Sequence, residues 1–216
     1  MTDIKNTLLI IGGSVVLVIA AIFGLTKMSS NTASATTVDQ NVLLEGARFV
    51  RENPSTGSGQ IKVTVVSFSD IQCPSCKVAK DALKDLDTMS GVKTVMRHFP
   101  LPANVHKYAL ISAKAVEAGR VLGKGWEMMN IMFEKQDVWS ESKNPELLFV
   151  EYAKSIGLDG TKFEESMKSK EVADFVQTDA SLAANLQLSG TPTIFVNGEQ
   201  VGAPFVLDKV KELLKK

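Results

Sequence analysis

Phe68-Ser69-Asp70-Ile71-Gln72-Cys73-Pro74-Ser75-Cys76 joins two segments of different periodicity and holds both cysteines of the chain. Upstream, Ile61, Val63, Val65, Val66 and Phe68 form a β-branched and aromatic run that reads as a buried strand, set off by a Pro/Gly/Ser loop over Asn53 to Gly59. Downstream, Val78, Ala79, Ala82, Leu83, Leu86 and Met89 recur at helical spacing, with Lys77, Lys80, Asp81, Lys84 and Asp85 on the other face. Gly91 stands where that helix should end. A strand therefore feeds a cysteine pair that opens a helix.

That placement carries the chemistry. Thiols at i and i+3 can close a local disulfide, and the first sits where free backbone N–H groups and the helix dipole favour negative charge. Cys73 is thus the expected attacking thiol and Cys76, one turn in and more sheltered, the expected resolving thiol. Pro74, at the first helical position, has no N–H to leave unpaired and presets the turn, and Ser75 completes the motif. A neighbouring carboxylate, Asp70, would oppose thiolate formation if it faced the sulfur. A zinc knuckle is the competing reading of Cys-x-x-Cys, but the only imidazoles are His98 and His106, at a longer spacing than the usual pair. No metal and no cofactor is expected.

Beyond the first helix, Val92 to Phe99 reads as a second strand, and the pattern then stays helical from about Asn104 to Leu188. Asn144-Pro145-Glu146 offers a helix start, Gly157 a stop, and Thr161 with Glu164 a capping box. Val172, Phe175, Val176, Asp179, Leu182, Ala183 and Leu186 trace a mainly apolar stripe. Gly190-Thr191-Pro192-Thr193 returns the chain to strand, Asn197-Gly198 marks a hairpin, and Val206 to Leu214 closes with an amphipathic helix. A proline opening a strand after threonine can be cis, which would present the Thr191 backbone as an edge for a peptide; a simple turn proline is the alternative, and beside the cysteine motif Thr191 and Pro192 are the expected substrate-binding residues.

Working toward the N-terminus, residues from Asn6 to Thr26 include no charge and are long enough, at roughly 1.5 Å per residue, to cross a bilayer. Residues 1–27 are therefore expected to be a single transmembrane anchor. A cleaved signal peptide with a site at Ala33-Ser34-Ala35 is the alternative, although the apolar run is long for one. Residues 28–41, small and polar, read as a flexible tether, with the folded domain beginning near Val42 and running to residue 216. Twenty-four basic and 24 acidic residues give no net field toward nucleic acid, and one cysteine pair cannot make a disulfide framework.

In combination these motifs resemble the DsbA-like branch of the thioredoxin superfamily. The residues that carry the resemblance are the quoted stretch, His98-Phe99-Pro100-Leu101 leading to His106, and Gly190-Thr191-Pro192-Thr193 with Phe195-Val196-Asn197-Gly198. The resemblance implies an α/β thioredoxin fold with an inserted all-helical domain at about 104–188, here preceded by a single transmembrane helix. It further implies that Cys73 is the nucleophile, Cys76 its partner, and Pro192 a cis-proline packed against the disulfide. Two departures stand out. The strand position that often carries a buried acid, six residues before the first cysteine, is Ser67. Pro74-Ser75 also lacks the histidine of the strongly oxidising members, which predicts a weaker oxidant.

The expected function is a membrane-anchored, extracytoplasmic dithiol oxidase. It would act on reduced thiols of exported proteins or peptides and be reoxidised by a quinone-linked thiol oxidase of the membrane. A reductase or isomerase using the same pair is the alternative of the same chemistry. A non-catalytic adaptor, binding through a Met128, Met129, Met132, Trp126 and Phe133 surface, is the alternative of another class.

Overall fold

The computed structural model describes residues 36–53 and 58–216. The expected anchor and most of the expected tether lie outside the described residues, among which no helix is long and apolar enough to cross a membrane. In chain order the elements are α1 (Gln40–Leu44), β1 (Phe49–Asn53), β2 (Val63–Ser69), α2 (Pro74–Ala82), a tight helical turn at Lys84–Asp87, and β3 (Val92–His98). The helical block follows as α3 (Ala109–Val121), α4 (Gly125–Glu134), α5 (Gln136–Trp139), α6 (Pro145–Ser155), α7 (Gly160–Lys168) and α8 (Lys170–Asn185). The chain then closes with β4 (Thr193–Val196), β5 (Glu199–Gln200) and α9 (Val206–Leu214).

The five strands form one sheet in the order β1-β3-β2-β4-β5. β2 and β3 run parallel across α2, while β1 on β3, β4 on β2 and β5 on β4 are antiparallel. Alternation along β2 assigns its two faces. Val63 and Val65 pack with Ile194 and Val196 against Ala79 of α2 and Val206 and Val210 of α9. Val66 and Phe68 pack with Val95 and Phe195 against Leu43 of α1 and Ala183 of α8. Both faces are covered, which is why β2 reads as a continuous apolar run and not as an alternating one. The helical block has its own core around Trp139, Phe149 and Phe163, and this core reaches the cysteines through Ile71 and Met96.

Several expectations are corrected in detail. The fold begins before Val42: Thr37 bridges to Glu199, the Val38 N–H donates to the Gly198 carbonyl at 2.8 Å, and Asp39 caps α1. The Val38 contact is made by the backbone, which side-chain identity does not mark, and the Asp39 cap is one short bond to the Asn41 N–H within a small polar run. The helix after Cys76 ends at Ala82, with the tight turn following it, so Gly91 is not its stop. Helix α7 is capped by Asp159, whose side chain accepts from the Lys162 N–H at 2.9 Å, and the Thr161 capping box does not form. β1 has no counterpart in the sequence expectations. It is a short edge strand in which Arg51 and Glu52 interrupt the apolar pattern.

Gly157 does end α6, at φ 88°, and the Asn197-Gly198 turn adopts φ values of 48° and 87°, as a two-residue hairpin requires. Asn197 adds a reason of its own for being there. Its side-chain oxygen accepts from the Thr64 N–H at 2.7 Å and ties the hairpin to β2.

Candidate active site

Cys73 and Cys76 sit at the C-terminal end of β2, where the chain turns into α2. Cys73 is the N-cap of α2 and Pro74 occupies its first turn. Both thiols are free, with Cys73 5% exposed and Cys76 1% exposed. The Thr191–Pro192 peptide bond is cis, and the Thr191 carbonyl oxygen lies 3.5 Å from Cys73 Sγ and 3.3 Å from Ser75 Oγ. Three of the expected site residues, Cys73, Ser75 and Thr191, thus meet at one point although they come from segments far apart in the chain, and Pro192 follows Thr191 across the cis bond. Pro74 and Ser75 are exposed beside them.

The pair is electrostatically split. Cys73 is lowered to about 4, first by the Cys76 thiol donating to it, against the opposing effect of burial. Ser75 Oγ at 2.9 Å and the Cys76 backbone N–H add to the lowering. The last of these is the helix-start N–H that an N-cap acceptor ordinarily takes. Cys76 is driven strongly the other way, first because it supplies the proton to Cys73 and then because it is buried. Ser75 has one proton, which it can give to the thiolate or to the Thr191 carbonyl. With Cys73 ionised, the sulfur is the stronger acceptor.

Ser75→Ala is expected to raise the Cys73 value by about 1–2 units, the worth of one hydrogen bond to a charged group. Ultraviolet titration of the thiolate in the reduced protein would measure it. An unchanged titration would mean that Ser75 bonds elsewhere.

Asp70 does not oppose the thiolate in the way its position suggested. Its carboxylate is turned away, accepting from the Gln72 N–H at 2.7 Å, the Leu101 N–H at 3.0 Å and His106 Nδ1 at 2.8 Å. An ionised carboxylate only accepts, which places the imidazole proton on Nδ1. Burial holds Asp70 above the ordinary carboxylate range. Its role is to clamp the loop before Cys73 to the loop after β3, and its own backbone N–H helps the Cys76 sulfur.

Gln136, from the short helix α5, braces the same loop. Its Nε2 donates to the carbonyls of Ile71 at 2.7 Å and Cys73 at 3.1 Å, and the side chain is buried. In sequence, Glu134-Lys135-Gln136-Asp137 looks like a solvated run, and nothing local marks Gln136. Among the described residues no group of three or more His, Cys, Asp or Glu side chains could hold a metal ion.

The sequence pattern of the family described as thioredoxin matches residues 50–216. The chain belongs to the thioredoxin family. Its fold is the DsbA-like form, since it superposes on BdbD from Bacillus subtilis at a TM-score of 0.65 and 23% identity, covering 85% of this chain and 98% of that one. The thiol-disulfide exchange protein α-DsbA2 from Wolbachia pipientis gives a TM-score of 0.65 at 20% identity, over 81% and 91% of the two chains.

A third likeness is to the Na+/H+ antiporter NhaA 3 of Salinispora tropica, 35% identical over 153 residues, which are 70% of this chain and 22% of that protein. This thioredoxin-family chain spans about a fifth of the length of the curated relatives it matches. Ion exchange by the whole antiporter is a property of that protein.

Proposed function

We propose that the chain is a membrane-anchored, extracytoplasmic thiol–disulfide oxidoreductase that works as a dithiol oxidase on exported proteins. One observation carries the direction: the environment of Cys73 stabilises its thiolate, which exists only in the reduced pair. At neutral pH that preference favours the dithiol state over the disulfide. A pair stabilised when reduced has an oxidising disulfide. A substrate thiolate attacks Cys73 Sγ and the Cys73–Cys76 bond breaks, with Cys76 leaving and taking up a proton. A second substrate thiolate then attacks the substrate sulfur of the mixed disulfide. Cys73 leaves as a stable thiolate, and the substrate departs with a disulfide.

The missing histidine between the cysteines is offset by Ser75, which supplies a donor from the same turn. The cis Thr191–Pro192 segment beside Cys73 is the edge on which a substrate strand would lie. The anchor rests on the uncharged run from Asn6 to Thr26, and similarity to a region of antiporters fits a protein that works at a membrane. Return of the pair to the disulfide is assigned to a quinone-linked thiol oxidase in that membrane.

Two assays on the full chain test the direction. The oxidised protein should introduce disulfides into a reduced unfolded substrate faster than the reduced protein reduces insulin, and the reverse order would make it a reductase. The reduced form should also be the more heat-stable. The folded-state value of Cys73 lies below the ordinary thiol value of 9.0, so its contribution is full above that value and is lost as pH falls through about 4. The melting-temperature gap between reduced and oxidised forms should therefore be open at neutral pH and close toward the acid end.

A further inference from the structure

The resolving cysteine must gain or lose a proton in every cycle, yet its strand neighbour at the usual acid position is Ser67. The structure offers another way out. A crevice of about 90 Å³ lies between α2, the tight turn after it and α4, and Cys76, Ser67 and Ser69 are on its wall. Ser67 and Ser69 share the sheet face that carries Met96, and their hydroxyl oxygens are 3.0 Å apart. Ser67 is half-buried although its neighbours Val66 and Phe68 are 1% and 0% exposed, so solvent reaches the central strand at that point. The volume holds several waters, and the hydroxyls and the thiol supply the polar partners that bound water needs.

The charged groups around this space do not supply an acid in place of position 67. Lys80 and Lys84 line the crevice, and its one carboxylate, Asp87, is paired with Arg51 at 2.5 Å. The Asp70 carboxylate is committed to His106 and two backbone N–H groups. His98 pairs with Ser69 in the β2–β3 register and is buried next to Glu117 at 3.6 Å, outside the crevice wall.

We propose that the proton of Cys76 travels through this crevice, with the Ser67–Ser69 hydroxyl pair and water as its relay to bulk solvent. In resolving a mixed disulfide, Cys76 passes its proton to the relay. Its sulfur then bonds Cys73 Sγ, and the bond from Cys73 to the bound thiol breaks with that thiol leaving as thiolate. A hydroxyl accepts one proton as it donates another, so neither serine changes charge and the net acceptor is water or buffer. In the oxidising direction Cys76 is the leaving group and the same path returns the proton. Ser67 and Ser69 act through Cys76 and are positioning residues.

This inference rests on the thiol-exchange reading above, and one experiment separates the two. Reduced full-length protein mixed with dithiodipyridine should release chromophore in two phases, attack by Cys73 and then resolution by Cys76. Ser67→Val removes the hydroxyl and fills its space, while Ser67→Thr has the same shape and keeps the hydroxyl. The Val variant is expected to slow the second phase about tenfold near neutral pH with the first phase intact, and the Thr variant to rescue it. Ser69→Val and Ser69→Thr make the same comparison should the first pair fold poorly. In the unmodified protein, the second phase should slow about twofold in heavy water at matched points of its pH profile, with the first unaffected. Equal second phases in Val and Thr variants, or no solvent isotope effect on that phase, would overturn the relay. Loss of the first phase in the unmodified protein would instead overturn the thiol-exchange reading itself.

Discussion

A Cys73→Ser variant should lose at least about a thousandfold in disulfide-exchange rate, because no other group in the site can take over the attack. A serine hydroxyl at this position would meet the same donors but would not ionise near neutral pH. Cys76 is the only other thiol of the chain, and it is 1% exposed with its proton held more tightly than in an ordinary thiol. The matching variant Cys76→Ala has the opposite phenotype. Cys73 still attacks, but nothing resolves the product, so mixed disulfides with substrate should accumulate and be seen by mass spectrometry of acid-quenched samples. Exchange surviving in Cys73→Ser, or trapping by that variant in place of Cys76→Ala, would reverse the assigned roles. Retention of all cellular activity by a double serine variant would favour the adaptor reading.

The largest expected effect on stability lies away from the thiols. Arg97 of β3 and Asp179 of α8 are each 1% exposed and pair at 2.8 Å. Arg97 also donates to the Leu43 carbonyl at 2.9 Å and the Glu45 carbonyl at 2.6 Å, and the second oxygen of Asp179 accepts from the His98 N–H at 2.9 Å. One buried pair thus binds α1, β3 and α8 together on the sheet face opposite the cysteines. Asp179→Ala leaves a guanidinium without its counter-charge and a strand N–H without an acceptor, and should cost about 3–5 kcal/mol. For a domain of this size that corresponds to a melting point lower by about 10 °C. Replacing both partners by apolar residues of similar volume should recover much of the loss, since the charge that must be desolvated is then gone. A loss under about 1 kcal/mol in chemical denaturation of Asp179→Ala would mean that water reaches Arg97.

The cysteine turn, the parallel unit around it, the helical block and the closing hairpin were legible because each has a local cause. Periodicity changes at Cys73, Gly157 stops a helix, and Asn197-Gly198 is a turn that few other residues can make. Asp179 also carried a signal, as an acid inside an otherwise apolar stripe, but sequence does not say that Arg97 is its partner. What stayed hidden depends on distant backbone. Gln136 bonds two carbonyls of the active-site loop from far along the chain, Asp70 turns to His106 only once α3 is packed, and Thr37 to Asp39 fold onto the turn after β4. The expectation of a weaker oxidant came from the identity of Pro74-Ser75. The contacts of Ser75 and Cys76 with the Cys73 sulfur depend on rotamers that identity does not fix.

The direction of electron flow turns on the equilibrium of Cys73–Cys76 with glutathione at neutral pH, measured on the full chain by thiol trapping. A stabilised Cys73 thiolate places the reduction potential above about −180 mV, in the range of oxidising dithiol proteins. A value near or below about −270 mV, where reducing thioredoxins lie, would contradict the oxidase.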